Sequence, residues 1–308
     1  MKNHSTETRF FKIDSKEIEL NYTFSAFRAT FKKLHFIECS INCGEKSSFG
    51  YGEDFFSNRA RAKAFSESWE RFWMRYGNEL IPGMDLSLIR NSNGFAAHPD
   101  TQKSILNSKL ELIERAEVLS SWQRPGIWKR AKPFHIDLIN SILNIQLAMG
   151  WTFEIYTISS FEEYETRIAL LTHPDQGVFF DSACLKKSNA TLLSRIKTDL
   201  KLLNSTIRTL PFFPHQMKSL DDMPLEASPD HHLNFYRNIN HISAFDIHRK
   251  NSGSGKGVLK DLDLLKTNII FQGQGLPTVC YSVHPNWPRL SWGKNSMKPN
   301  DIWPHPIA

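Results

Sequence analysis

Apolar residues between positions 59 and 77 recur at helical spacing. Phe65, Trp69, Phe72 and Tyr76 are four, three and four residues apart, which at about 100° per residue places them on one face of a helix. Ala60, Ala64, Glu67 and Arg71 fall on the opposite side, flanked by Lys63 and Glu70. The aromatic stripe is expected in the core, and the small residues among the charges leave room for something to approach the helix. The preceding run SFGYGEDFFSN supplies Gly50 and Gly52 for a tight turn and Ser57 or Asn58 as helix cap. Further helix-like stretches lie near 103–120, 187–208 and 258–266. Strand-like runs rich in β-branched and aromatic residues lie at 20–31, 150–158, 167–173, 267–273 and 277–284. The segments near 210–230 and 284–306 read as irregular. Interleaved helices and strands predict an α+β (mixed α/β) fold.

The chain has 308 residues, 40% hydrophobic and 23% charged. Composition therefore excludes a disordered or membrane-spanning chain, and no apolar run approaches the roughly 20 residues a spanning helix needs. One globular domain over residues 1–308 is expected, and a cytoplasmic location follows as the default because the N-terminus lacks signal-peptide features. The formal net charge of +6 suits an anionic partner, but the basic residues are spread out, so nucleic-acid binding is disfavoured. Cys39, Cys43, Cys184 and Cys280 are too scattered for a disulfide framework. Cys39 and Cys43 would share one face of a strand, and no second pair completes a metal site.

Candidate chemistry centres on Glu67, Glu70 and Arg71. Carboxylates three apart on a helix can hold a hard cation while phosphates and water complete its shell. Arg71 could then contact phosphate, or simply pair with Glu67 four residues earlier. Two other stretches resemble sites on paper. ELIER, Glu111 to Arg115, has no glycines or spaced alanines before it and is expected to be an exposed amphipathic helix. GSGKG at 253–257 departs from a phosphate-loop pattern, because Gly257 follows the lysine, and is expected to be a flexible loop.

The run Gly50-Tyr51-Gly52, with Ala60, Ala64, Glu67, Glu70 and Arg71, resembles the GxG…A…A..E..ER signature of the YcaO family. NDIWPHPIA resembles that family's proline-rich C-terminus, and LPTVCYSVHPNW its late strand and loop. The resemblance spans about residues 20–308, with 299–308 as the tail. It implies a YcaO-like fold with an ATP site between helices. ATP and Mg2+ would be the cofactors, with Lys63, Glu67, Glu70 and Arg71 at the nucleotide and Glu67, Glu70 and Asp199 as metal ligands. Pro304, Pro306 and Ala308 would order the catalytic site from the tail. Tyr51 and Lys63 stand where the family often has lysine and serine. Asp199 is the lone acidic residue in the 187–208 segment expected to hold the second motif. The implied activity is ATP-dependent activation of a peptide backbone amide, giving an azoline by cyclodehydration or a thioamide, in the biosynthesis of a modified ribosomal peptide. The substrate would be a precursor peptide, recognised with a separate leader-peptide-binding protein, and a homodimer is compatible with the resemblance. A catalytically degenerate YcaO-like scaffold is the alternative.

Overall fold

The computed structural model describes residues 4–13, 16–28, 35–54, 56–81, 93–122, 124–132, 150–189, 191–192, 194–196, 198–199, 201–202, 219–225, 229–236, 238–251, 253–290 and 305–307. They form an α+β fold whose named strands pair antiparallel. Two compact units are present, residues 1–112 with 265–284 and residues 113–264 with 285–308.

In the first unit, β1 (His4–Ile13), β2 (Lys16–Arg28), β3 (His35–Cys43) and β4 (Lys46–Asp54) form a meander in sequence order. Strand β3 alternates as its pattern requires, with Ile37, Cys39 and Ile41 buried. Helix α1 (Ser57–Leu80) packs on this sheet through Phe65, Trp69, Phe72 and Trp73. Trp69 stacks on Phe72 with centroids 5.4 Å apart, meets Phe11 of β1 edge-on at 5.2 Å, and donates to the Pro277 carbonyl at 3.1 Å. The expected aromatic stripe is therefore the core face. A smaller sheet orders β10 (Lys266–Phe271), β11 (Thr278–Val283) and β5 (Phe95–His98).

Gly50 and Gly52 do not make a turn. They lie inside β4, and their lack of side chains lets α1 settle directly on the strand. A Cβ at Gly52 would lie 1.9 Å from the Ala60 carbonyl oxygen, and one at Gly50 would lie 2.2 Å from the Ser68 nitrogen. The space beside Ala60 and Ala64, expected to admit a ligand, is filled by this strand, and both alanines are fully buried. Phe56 occupies the N-cap position without a side-chain cap bond, so neither Ser57 nor Asn58 caps the helix.

The second unit is built on β6 (Lys129–Ala131), β7 (Thr152–Ile158), β8 (Tyr164–His173) and β9 (Gly177–Lys186), again a meander. Its core includes Trp122, Trp128, Ile168, Leu170, Phe235 and Phe245. The last two belong to α3 (Pro229–Tyr236) and to a 3-10 segment over Ile239–Phe245, which α4 (Asp246–Lys250) continues. The helix expected at 258–266 is reduced to a 3-10 turn at Leu262–Leu264. Helix α2 (Thr101–Ser121) includes the point where the two units divide. Among the described residues no helix is long and apolar enough to cross a membrane.

Candidate functional site

Strand β4 is the outer strand of its sheet, so half its backbone groups lack a strand partner. One row of α1, four residues apart, supplies the missing partners. Lys63 Nζ donates to the Glu53 carbonyl at 2.8 Å, and Glu67 Oε2 accepts the Tyr51 N–H at 2.8 Å. Arg71 donates to the Phe49 carbonyl at 3.1 Å, and Arg75 to that of Ser47 at 3.4 Å. Glu67 also pairs with Arg71 at 2.6 Å, and Lys63 with Asp54 at 2.8 Å. The charged row thus has a local structural duty, sealing an open sheet edge. The same contacts hold Glu67 and Arg71 in one orientation without burying them fully.

Glu70 lies off that row and in a different environment. One carboxylate oxygen accepts the Ala97 N–H of β5 at 3.2 Å. Burial, and then the negative charges of Glu111 on α2 and of Glu67, push its carboxyl well above the usual carboxylate range, against the weaker pull of Arg71. Three carboxylates and a guanidinium from α1 and α2 therefore share one field. Among the described residues no three His, Cys, Asp or Glu side chains surround a common point as a metal cage would. Mg2+ does not require one, since it is usually held by one or two carboxylates together with phosphates and water. A half-buried carboxylate raised by desolvation and then by like charges is a donor whose ionised form a cation would stabilise. These side chains fit a hard cation and the phosphates it carries.

ELIER lacks the glycines and spaced alanines that precede Glu67, so its letters alone do not mark Glu111. The expected exposed helix is instead mostly buried from Leu112 to Trp122, with Glu111 itself half-buried. Its repeating Glu111, Glu114, Glu117 spacing is the signal that could have flagged it. Within the second unit, Glu114 is buried, accepts the Ser182 hydroxyl at 2.8 Å and lies 3.3 Å from Arg115. Glu117 accepts the Ser160 N–H at 2.6 Å. Burial raises both carboxyls.

Asp199 is fully buried, and both its oxygens are held by Arg167, at 2.6 Å from Nε and 2.9 Å from Nη2. Serving as a metal ligand would require it to surrender this ion pair. The described residues between 192 and 202 are helical, as expected for part of the 187–208 segment. In the tail, Pro304 and Ala308 lie outside the described residues. Pro306 is buried between His305 and Ile307. His232 of α3 donates from Nδ1 to the His305 carbonyl at 2.7 Å, and Ile307 enters the second unit's core. The GSGKG segment does not form a phosphate cradle, because its amides are already used. Ser254, Gly255 and Gly257 donate to the carbonyls of Gly126, Ile127 and Ser159, so the segment is pinned along its neighbours.

No family model matches this sequence, and no curated protein matches it by sequence. Solved structures do match. The E. coli microcin synthetase McbBCD complex aligns with a TM-score of 0.58 at 12% identity, over 86% of this chain and 88% of the other; it is also known with pro-MccB17 bound. YcaO from Methanopyrus kandleri, bound with AMPPCP and Mg2+, aligns with a TM-score of 0.55 at 11% identity over 84% of each chain. The chain has a YcaO-like fold. A heterocyclase in complex with substrate and cofactor aligns at 0.52 with 10% identity, over 88% of this chain and 51% of the heterocyclase. In this YcaO-like chain, the expected α1 signature lies on a helix that presents Glu67, Glu70 and Arg71, and α2 adds Glu111 beside Glu70.

Proposed function

We propose that this chain binds ATP with Mg2+ and activates backbone amides of a precursor peptide, in azoline-forming cyclodehydration or thioamidation during biosynthesis of a modified ribosomal peptide. The observation that carries the reading is the shared field of Glu67, Glu70, Glu111 and Arg71 in a YcaO-like fold. A related fold bound to AMPPCP and Mg2+, and another with a pro-peptide bound, support the ligand classes. The multi-subunit McbBCD complex likewise supports a separate partner protein.

In this reading Glu67 and Glu70 hold the cation together with phosphates and water, Glu111 adds negative charge to their shared field, and Arg71 turns its guanidinium to phosphate oxygens. ATP supplies the phosphoryl group that makes an amide oxygen a leaving group. Contacts to β4 keep Glu67 and Arg71 oriented before ligand arrives, so less ordering is lost on binding. Lys63, held at Glu53 and Asp54, adds positive charge at the end of the same row. The roles expected of Asp199, Pro304, Pro306 and Ala308 remain part of the proposal, and Asp199 would act as a ligand only after release from Arg167. A second reading, a scaffold without ATP turnover, is favoured by that ion pair alone.

Calorimetry with ATP at millimolar Mg2+ tests the assignment. The wild-type chain is expected to bind, and Glu70→Gln and Glu111→Gln each to weaken Mg2+-dependent binding by roughly tenfold or more, about 1.4 kcal/mol. Absence of ATP binding by the wild type would sink the enzymatic reading.

A further inference from the structure

The first unit holds a cavity of about 630 Å3 against the N-terminal half of α1, within the ~300–1,000 Å3 range typical of ligand sites. It is lined by Glu7 and Arg9 of β1, Tyr22 and Phe24 of β2, and Arg61 and Phe65 of α1, among others. Phe65 precedes Glu67 by two residues, about 200° around the helix, so the cavity lies on the other side of α1 from the Lys63–Arg75 row. We propose that this cavity is a second binding site, one that takes an acidic side chain of a peptide together with an adjacent aromatic side chain.

The lining selects that chemistry. Its floor is aromatic, with Tyr22 4.7 Å from Phe65 and 5.6 Å from Phe24 between ring centroids. Such rings accept another ring edge-on or offset. Two guanidiniums stand over this floor. Arg9 lies 5.6 Å from the Tyr22 centroid and 5.8 Å from that of Phe65, while Arg61 lies 5.2 Å from that of Phe24. Arg9 is fixed by donation to the Gly275 carbonyl at 2.7 Å. The cavity's carboxylate, Glu7, accepts the Tyr22 hydroxyl at 2.5 Å. Arg61 is exposed, and no carboxylate pairs with it among the described residues. A planar guanidinium resting on a ring keeps its outer N–H groups available for a bidentate carboxylate.

Strand β1 is the outer strand of its sheet, which makes an extended peptide the fitting carrier of such side chains. The Gln274 side-chain amide already shows the mode of contact. Its oxygen accepts the Lys12 N–H at 2.6 Å and its nitrogen donates to the Lys12 carbonyl at 3.1 Å, as a peptide group does on a strand edge. That the bound peptide is the substrate rests on the function proposed above; that the cavity binds such a peptide does not.

Fluorescence anisotropy of the full chain, without nucleotide, tests the site with a short fluorescein-labelled peptide alternating aspartate and phenylalanine and with its lysine counterpart. The aspartate peptide is expected to bind and the lysine peptide to bind at least roughly tenfold more weakly. Arg61→Glu is expected to weaken the aspartate peptide by a similar factor with an unchanged melting temperature, and Glu7→Gln to strengthen it. Equal affinity for the two peptides, or an Arg61→Glu protein that binds the aspartate peptide as the wild type does, would overturn the proposal. ATP calorimetry on Arg61→Glu separates the two sites. Unchanged ATP affinity supports an independent cavity, and its loss overturns it. If the wild type binds the peptide but no ATP, the cavity stands and the nucleotide reading falls.

Discussion

The carboxylate of Glu67 accepts the backbone N–H of Tyr51 at 2.8 Å, so a residue proposed to hold a cation also closes the open edge of β4. Two duties in one side chain can be separated by choice of substitution. Glu67→Gln keeps an acceptor for the Tyr51 N–H but removes the charge. It is expected to lose Mg2+-dependent ATP binding while melting close to the wild type. Glu67→Ala also leaves the N–H without its partner, costing roughly 1 kcal/mol and a few degrees of melting temperature. Calorimetry and thermal denaturation of both variants check this, and equal melting temperatures would remove the edge-sealing role.

The approach of α1 to β4 leaves no volume for a methyl group at Gly52, where a Cβ would meet the Ala60 carbonyl at 1.9 Å. Gly52→Ala is expected to destabilise by about 3 kcal/mol or more, because backbone must move rather than a flexible side chain. The measurement is chemical denaturation, and Gly44→Ala provides the comparison. Gly44 has open space around it but a φ of +57°, so that variant should lose only about 1 kcal/mol, through backbone strain.

Arg167 and Asp199 form a buried bidentate ion pair. Asp199→Ala should cost about 3–5 kcal/mol, since it leaves a buried guanidinium uncompensated, whereas replacing both partners with apolar residues should recover much of the loss. Denaturant midpoints of Asp199→Ala and of the double variant Arg167→Met with Asp199→Leu check this. If Asp199→Ala leaves stability intact but lowers Mg2+ affinity, the aspartate's principal role is at the metal.

His248 lies flat on Trp128, with centroids 3.6 Å apart, and its pKa is pushed down to about 3 by burial. An unfolded histidine titrates near 6.5, so the unfolded chain takes up this proton first as pH falls. The stabilising contribution is therefore full above about pH 6.5 and is lost progressively as pH drops towards 3, by up to roughly 1.4 kcal/mol per unit for this residue. His232, pushed down to about 4 by burial, acts in the same direction over a narrower window. His248→Phe keeps a ring against Trp128 and should flatten the acid limb of a stability-against-pH curve. An unchanged slope would show that other groups set it.

Much of α1 was legible without any structure. The spacing of Phe65, Trp69, Phe72 and Tyr76, and the opposite placement of Glu67 and Arg71, depend on helical periodicity, and periodicity is local. The strands β2, β7, β8, β10 and β11 were visible for a similar reason, in their β-branched and aromatic runs. Strand β4 was not, because KSSFGYGED carries too many small and polar residues to look like a strand. Its glycines are explained only by the helix lying on it. ELIER, likewise, looks solvated by its letters, and its carboxylates acquire meaning only through burial.

By itself, then, the sequence determined which faces α1 would have and that the chain would mix helices with strands. The tertiary structure decided what each face meets. It placed β4 rather than a ligand against Ala60 and Ala64, set Glu111 beside Glu70, and committed Asp199 to Arg167. The physical reason is that a helix's periodicity is fixed over a few residues, whereas the field at a carboxylate depends on charges and burial brought from distant parts of the chain.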